Sequence, residues 1–335
     1  MKKLICAMVA IGIFLMVPAL LFAAEKMQVM LYSSMKDSQL EALKKGFTEK
    51  YPDIRMDYYA AGTGKVLTKL SAEEQAGNIA ADILWVGEPT NYFTYKGKGM
   101  LLPYVSPEAK TIPKGQIDKD NTFCAARLVT LGLVYNTNTV KGADIPTDWD
   151  DLLKPRFGKH LAVMTDPSFS GTTLYTLAAL IQHPKYGWGF IEKLKANGMR
   201  LEKGSTASVE KVGSGEYDIS IGVDYIAMSW KKQGSPVEFV YPKSGISVIA
   251  SPIAIMKASK NVKAAKLLYD YILSIDGQKV LVKAEVLPVR PEVELEKGAT
   301  PVKEILERAL PVDDKKLTEE KEGMINKFNA IMKKK

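Results

Sequence analysis

Short β-type runs alternate with helical segments over the first part of the chain that follows its apolar amino terminus. The runs MQVMLYSS (27–34), IRMDYYA (54–60) and DILWV (82–86) each precede a segment whose apolar residues recur with helical periodicity. The last run is entirely apolar, which is typical of a buried parallel strand. Three β-α units in succession predict a parallel sheet with right-handed crossover helices.

A second α/β pattern begins near residue 160. Two long apolar runs, RLVTLGLVYNT (127–137) and SVIASPIAIMK (247–257), are long enough to cross between the two patterns. We therefore expect two α/β lobes that are joined by two strands and enclose a cleft. The predicted units are lobe 1 at 25–126 and 249–300, lobe 2 at 127–248, and C-terminal helices at 301–335.

The first 24 residues are typical of a secretory signal. Lys2 and Lys3 precede an apolar run that Pro18 ends, and Ala23–Ala24 offer small residues for cleavage. An uncleaved membrane anchor is the alternative, because a bulky residue stands where cleavage sites usually have a small one. We expect a cleaved signal peptide at 1–24 and a periplasmic protein.

Charge and cysteine content exclude some classes of protein. The formal net charge of +8 falls to +6 without the two lysines of the signal, and basic and acidic residues alternate along the chain. The sequence therefore has no continuous basic stripe that would bind nucleic acid. Cys124 is the only cysteine outside the signal, so an intramolecular disulfide is excluded.

Small polar residues follow several strands at the positions where α/β sheets bind ligands. Ligands bind beyond the carboxyl ends of parallel strands, where helix N-termini present unpaired N–H groups and partial positive charge. Helix capping is the alternative role for each cluster. The combination favours a site for a small anion. The candidate residues are Ser33, Ser34, Thr63, Glu88, Ser170, Gly171 and Thr172.

The sequence offers no evident catalytic group. The histidines His160 and His183 are both distant in sequence from the hydroxyl clusters, and G-x-S-x-G, H-E-x-x-H and C-x-x-C patterns are absent. A secreted hydrolase that uses Ser170 would need one of these histidines within hydrogen-bond reach. We expect a binding protein without catalytic residues or a cofactor.

Five segments carry a family resemblance: VMLYSSMKDSQLEALKKGFTEKYPDI, ADILWVGEPTNYFTYKGKGMLLPY, LVYNTN, DPSFSGTT and PVRPEV. They resemble the solute-binding proteins of bacterial ABC importers, in the branch that binds ferric iron, phosphonates and sugar phosphates. The resemblance covers essentially the whole mature chain. It implies a type II periplasmic-binding fold, two lobes that close on a ligand and delivery to a membrane permease. We expect the protein to be a monomer.

Two ligand classes remain open within this family. Ferric binders of the branch usually carry a tyrosine pair where this chain has Asp224–Tyr225, and often a histidine where it has Ser34. Iron would be held by Glu88, Asp224 and Tyr225. These two differences make ferric iron a less favoured ligand without excluding it.

The other class is a phosphonate or a phosphate ester, which we expect to be the ligand. The hydroxyl clusters would take the phosphoryl oxygens, and Arg127 on a joining strand would add a bidentate contact. Glu88 and Asp224 would then face a cationic or hydroxylated tail. The alternatives are a surface salt bridge for Arg127 and carboxylates that favour the helix dipole for Glu88 and Asp224.

Overall fold

The computed structural model describes residues 26–158 and 162–333. The predicted signal at 1–24 and the histidine His160 lie outside the described residues. The strands are β1 (Met27–Ser33), β2 (Ile54–Ala60), β3 (Ile83–Trp85), β4 (Leu101–Leu102), β5 (Cys124–Asn136), β6 (Ala162–Thr165), β7 (Arg200–Glu202), β8 (Ile219–Val223), β9 (Val237–Val240) and β10 (Ser247–Met256). The α-helices are α1 (Asp37–Lys50), α2 (Thr63–Gln75), α3 (Thr90–Gly97), α4 (Gly171–Gln182), α5 (Gly187–Ala196), α6 (Ser205–Gly213), α7 (Asp224–Lys232), α8 (Val262–Leu273), α9 (Ile275–Lys283), α10 (Val302–Glu307) and α11 (Asp314–Lys333).

The described strands form one sheet in the order β2-β1-β3-β10-β5-β8-β6-β7, with β4 beside β10 and β9 beside β5. Strand β1 pairs in parallel with β2 and β3, as the β-α alternation predicts. Strand β6 likewise pairs in parallel with β7 and β8. The two parallel groups correspond to the two predicted lobes, and the mixed α/β class is confirmed.

Strands β5 and β10 join the two groups at the centre of the sheet. They are antiparallel neighbours, with Leu131 opposite Ser247 and Cys124 opposite Ile253. The register shifts between Ser251 and Pro252, where proline interrupts the ladder. We call the part built on β1–β4 with α1–α3, α8 and α9 the first lobe, and the part built on β6–β9 with α4–α7 the second lobe.

Each lobe has its own hydrophobic core. Ala125 of β5 and Ile253 of β10 pack in the first core, whereas Val129 of β5 and Ile249 of β10 pack in the second. Both joining strands therefore contribute to both cores. The lobe boundaries within these strands, at residues 126 and 248, stay predictions.

The sequence left open which lobe receives the C-terminal helices. Leu317, Met324, Phe328 and Ile331 of α11 are buried in the core of the second lobe. The same helix also packs against α3 of the first lobe. This helix thus belongs to the second lobe and contacts both. No helix within the described residues combines the length and the apolar character that a bilayer crossing requires.

Candidate functional site

The two lobes meet at the carboxyl ends of β1 and β3. A methyl group placed on Gly87, just after β3, would lie 3.1 Å from Thr172 Cγ2 of the second lobe. It would also lie 3.5 Å from Thr63 Oγ1 and 3.6 Å from Ser34 Oγ of the first lobe. Three of the predicted residues, Ser34, Thr63 and Thr172, are therefore close together around Gly87, and Thr63 and Thr172 lie in the first turns of α2 and α4. The two lobes are therefore in contact at Gly87 and Thr172.

A second close contact lies beside the first. A methyl group on Gly171, the first residue of α4, would lie 2.6 Å from Glu88 Cγ and 3.4 Å from Thr63 Cγ2. Only a residue without a side chain permits this approach. The absence of a side chain on Gly171 therefore allows the first turn of α4 to lie this close to the first lobe.

Ser170 has the capping role that the sequence gave as an alternative, and its ligand-binding role stays a prediction. Its Oγ accepts a hydrogen bond from Thr173 N (3.3 Å) and so caps α4. The same oxygen lies 3.0 Å from Thr172 Oγ1 and 3.2 Å from Ser205 Oγ. The cap is thus part of a cluster of hydroxyls at the edge of the second lobe.

Ser33 differs from the expectation. Its side chain is fully buried, its Oγ donates to Trp85 O (2.9 Å), and it accepts from Met35 N (3.2 Å). A hydroxyl has one donor, and here that donor is committed to backbone. Ser33 therefore holds β1 to β3 and has no O–H group left for an anion, while Ser34 faces the contact between the lobes.

Arg127 is a buried cation between the lobes. It is 1% exposed, and its Nε donates to Ser251 Oγ (3.3 Å) on the neighbouring strand. In the described part of the chain its Nη1 has no hydrogen-bond partner. Burial lowers the pKa of the guanidinium, and the nearby Tyr225 and Asp224 partly offset this shift. Because Arg127 is buried, it does not form the surface salt bridge that was the alternative role.

Two residues that the sequence analysis missed, Trp85 and Lys36, lie beside Arg127 and beside the ring of Tyr225, respectively. Its guanidinium lies 5.6 Å from the ring centre of Trp85, whose buried Nε1 also has no partner among the described residues. It lies 5.8 Å from the ring of Tyr225, and Lys36 Nζ of the first lobe lies 5.6 Å from the same ring. Burial lowers the pKa of Lys36. Two cations and an unpaired indole donor therefore face the interlobe boundary.

Asp224 and Tyr225 begin α7, beside these cations. Asp224 Oδ2 accepts from Thr130 Oγ1 (2.6 Å), and its Oδ1 accepts from Tyr225 N (2.6 Å). Burial raises the pKa of Asp224 to about 6 and raises the pKa of the Tyr225 hydroxyl. The second residue is therefore a neutral phenol near neutral pH.

The raised pKa of Asp224 predicts a pH-dependent stability. The unfolded chain titrates near 3.8, so between about pH 4 and pH 6 the folded protein binds more protons than the unfolded chain. The stabilising contribution of protonated Asp224 to the unfolding free energy is fully present below pH 3.8 and is lost as the pH rises through 6. Relative to Asp224→Asn, we expect the wild type to lose roughly 3 kcal/mol of unfolding free energy over this window. Urea denaturation at several pH values measures it, and parallel curves for the two proteins would contradict the assignment.

Glu88 lies at the N-terminus of α3, the alternative role that the sequence analysis gave it. It also pairs with Lys321, which the sequence analysis did not predict. Its Oε2 accepts from Thr90 N (2.8 Å) at the start of α3, and Asn91 Nδ2 donates to its Oε1. Lys321 of α11 lies 2.9 Å from the same Oε1. The carboxylate is 1% exposed and fully partnered.

The geometry excludes one of the two hydrolase arrangements. Ser170 and His183 cap opposite ends of α4, and the helical rise over this distance is about 20 Å. His183 therefore cannot act as a base for Ser170. Among the described residues, no three or more His, Cys, Asp or Glu side chains are grouped so as to hold a metal ion.

Comparison with known proteins supports the same fold. Residues 78–309 match the model of the family described as bacterial extracellular solute-binding protein. The spermidine/putrescine-binding periplasmic protein 1 of Haemophilus influenzae is 27% identical over 290 residues, which is 78% of this chain and 77% of that protein.

Solved structures give the architecture. The periplasmic binding protein AfuA from Actinobacillus pleuropneumoniae, with fructose-6-phosphate bound, has a TM-score of 0.81 and 24% identity over 91% of this chain and 98% of its own. Iron-bound HitA from Pseudomonas aeruginosa has a TM-score of 0.77 and 20% identity, over 90% and 99%. The expected type II periplasmic-binding fold is confirmed.

Proposed function

Because this chain belongs to the bacterial extracellular solute-binding proteins, we propose that it is the periplasmic, monomeric binding component of an ABC importer. It captures a small anion, a phosphonate or a phosphate ester, between the lobes and delivers it to a membrane permease. We propose that it acts by binding alone, without a catalytic residue or a cofactor. The predicted signal peptide at 1–24 directs it to the periplasm.

The buried Arg127 carries this proposal. Arg127 is 1% exposed and its Nη1 is unpaired, so the nearby Asp224 and Tyr225 offset only part of the free-energy cost of burying this cation. An anion that enters between the lobes would supply a charged partner and accept from Arg127 Nη1. The guanidinium and Lys36 Nζ both lie within 6 Å of the ring centre of Tyr225, and Trp85, with its unpaired Nε1, is the other ring beside Arg127, so all three groups support an anion at this boundary.

The hydroxyl cluster at the closed contact supports the phosphoryl end of the ligand. Ser34, Thr63 and Thr172 surround Gly87, and Ser170 and Gly171 begin α4. Hydroxyl donors and helix N-termini both favour an anion, and each anion-directed hydrogen bond contributes about 1.5–3 kcal/mol. Contacts from both lobes would couple ligand binding to closure.

Two other ligand classes fit the charges less well. The Haemophilus relative is described as a spermidine/putrescine-binding protein, but Arg127 and Lys36 would repel a polyamine. Ferric iron would need Glu88, Asp224 and Tyr225 as ligands. Glu88 is paired with Lys321, and the high pKa of Tyr225 disfavours a phenolate.

Mass measurement of the trapped ligand tests the proposal directly. Native mass spectrometry of protein purified without refolding should show an added mass of a phosphonate or phosphate ester. A mass that equals bound iron or a polyamine would overturn the assignment.

A pair of variants separates the oxyanion from iron. Thr172→Val removes a hydroxyl of the cluster but, unlike Ser170→Val, spares the cap of α4. We expect it to weaken binding of the trapped anion about ten- to a hundred-fold. Tyr225→Phe should cost less, because a neutral phenol makes a weaker contact. Calorimetry measures both. A coloured, iron-loaded protein that bleaches only in Tyr225→Phe would reverse the conclusion.

A further inference from the structure

The C-terminal helix α11 brings a cation from the second lobe to a buried carboxylate of the first. Its apolar side, including Leu317, Met324 and Phe328, is fixed in the core of the second lobe. Lys321 lies on the side of α11 that faces α3. The position of its ammonium group is therefore set by the packing of the whole helix.

Lys321 is held by three groups of the first lobe. Its Nζ lies 2.9 Å from Glu88 Oε1, 3.2 Å from Thr90 Oγ1 and 3.0 Å from Asn91 Oδ1. The lysine side chain is 28% exposed and the glutamate side chain 1%. Three acceptors saturate the donors of one ammonium group. This is a built ion pair, unlike the exposed lysine pairs on the same helix, such as Lys315–Glu319.

The carboxylate that Lys321 neutralises lies beside the hydroxyl cluster. A methyl group on Gly171 would touch Glu88 Cγ, so Glu88 is next to the first turn of α4. A like charge at such a distance in a closed, poorly solvated site strongly disfavours an anion. Without a cation at this point, Glu88 would favour metal or amine ligands over phosphate.

We propose that Lys321 is a specificity-determining residue, which neutralises Glu88 from the second lobe and so makes the cleft selective for anions. The proposal rests on the anion-binding function proposed above. The pair joins the two lobes, so the neutralisation is complete only when the lobes are closed on the ligand. Lys321 acts through Glu88 and is a positioning residue that does not need to touch the ligand.

A double-mutant cycle tests this role. Lys321→Met should weaken the binding of glycerol 3-phosphate and inorganic phosphate at least tenfold, measured by calorimetry. Glu88→Gln alone should bind both anions at least as tightly as the wild type, because it removes the charge that opposes an anion and leaves the ammonium group of Lys321 in place. The double variant Lys321→Met with Glu88→Gln should recover most of the lost affinity. Lys316→Met, at an exposed position of the same helix, controls for the loss of one positive charge.

The outcomes separate the two proposals. If the wild type binds neither anion nor any trapped phosphate ester, the proposed function is wrong and this inference is wrong with it. If the wild type binds but Lys321→Met binds equally well, only the role of Lys321 is wrong. A loss in Lys321→Met that Glu88→Gln does not rescue would also overturn it, because the lysine would then act only by docking α11.

Discussion

Replacing Arg127 with methionine should abolish tight anion binding while the ligand-free protein stays at least as stable as the wild type. The guanidinium is buried with an unpaired Nη1, so its removal relieves a desolvation cost that the folded protein bears without ligand. The bound anion would lose a buried, charge-assisted partner, which costs about 2–5 kcal/mol, or roughly thirty- to several-thousand-fold in affinity. Calorimetry and thermal denaturation measure the two effects.

Arg290 provides a matched control for this substitution. It is also buried, at 5% exposed, but it donates to Glu108, Glu292 and Leu273 O in the first lobe. Arg290→Met should lower the unfolding free energy by about 1.5–3 kcal/mol and leave the anion affinity of the folded protein unchanged. If Arg127→Met instead destabilises the protein like Arg290→Met and keeps its affinity, Arg127 is a structural residue.

Replacing Gly171 with valine should block closure of the lobes. Its Cβ would lie 2.6 Å from Glu88 Cγ, and Glu88 is held in place by Thr90, Asn91 and Lys321. The open protein would lose at least two anion-directed contacts from the second lobe, about 3–6 kcal/mol or at least a hundred-fold in affinity. Small-angle scattering should show that the radius of gyration no longer falls at saturating ligand.

Gly189 in α5 is the control for this substitution. A methyl group there meets no atom within 4 Å, so Gly189→Val adds the same side chain to a helix without touching the cleft. We expect this variant to close on ligand like the wild type. A Gly171→Val protein that closes and binds normally would show that the contact between Gly171 and Glu88 can yield.

The sequence alone predicted the parts of this protein that depend on local patterning. The β-α alternation places Ser34, Thr63 and Gly171 at the carboxyl edge of parallel strands, and right-handed crossovers then direct the helix N-termini to that edge. The two long apolar runs became β5 and β10, which the structure places side by side at the centre of the sheet. These features follow from side-chain periodicity and backbone chirality, which act within a few tens of residues.

Side-chain direction at the site needed the structure. Ser33 and Ser34 are adjacent, yet strand geometry turns the first hydroxyl to Trp85 O and leaves the second at the interlobe contact. The sequence suggested both because it gives no register for the last residues of β1. Lys36 follows the same strand end and was missed, because a lone lysine at a helix start resembles an ordinary solvated residue.

Only the tertiary structure decided how the charges pair. Arg127 is buried between Trp85 and Tyr225 instead of paired on the surface, and Lys321 meets Glu88 across 233 positions of sequence. The periodicity of side chains along the sequence cannot predict a contact between residues so far apart, because the path of the chain through both lobes determines which residues meet. The sequence predicted two α/β lobes and the strand edge at which we propose that a ligand binds. The sign of the charge at that edge depends on the packing of α11 and the two joining strands, because burial and long-range contacts decide which charges are neutralised.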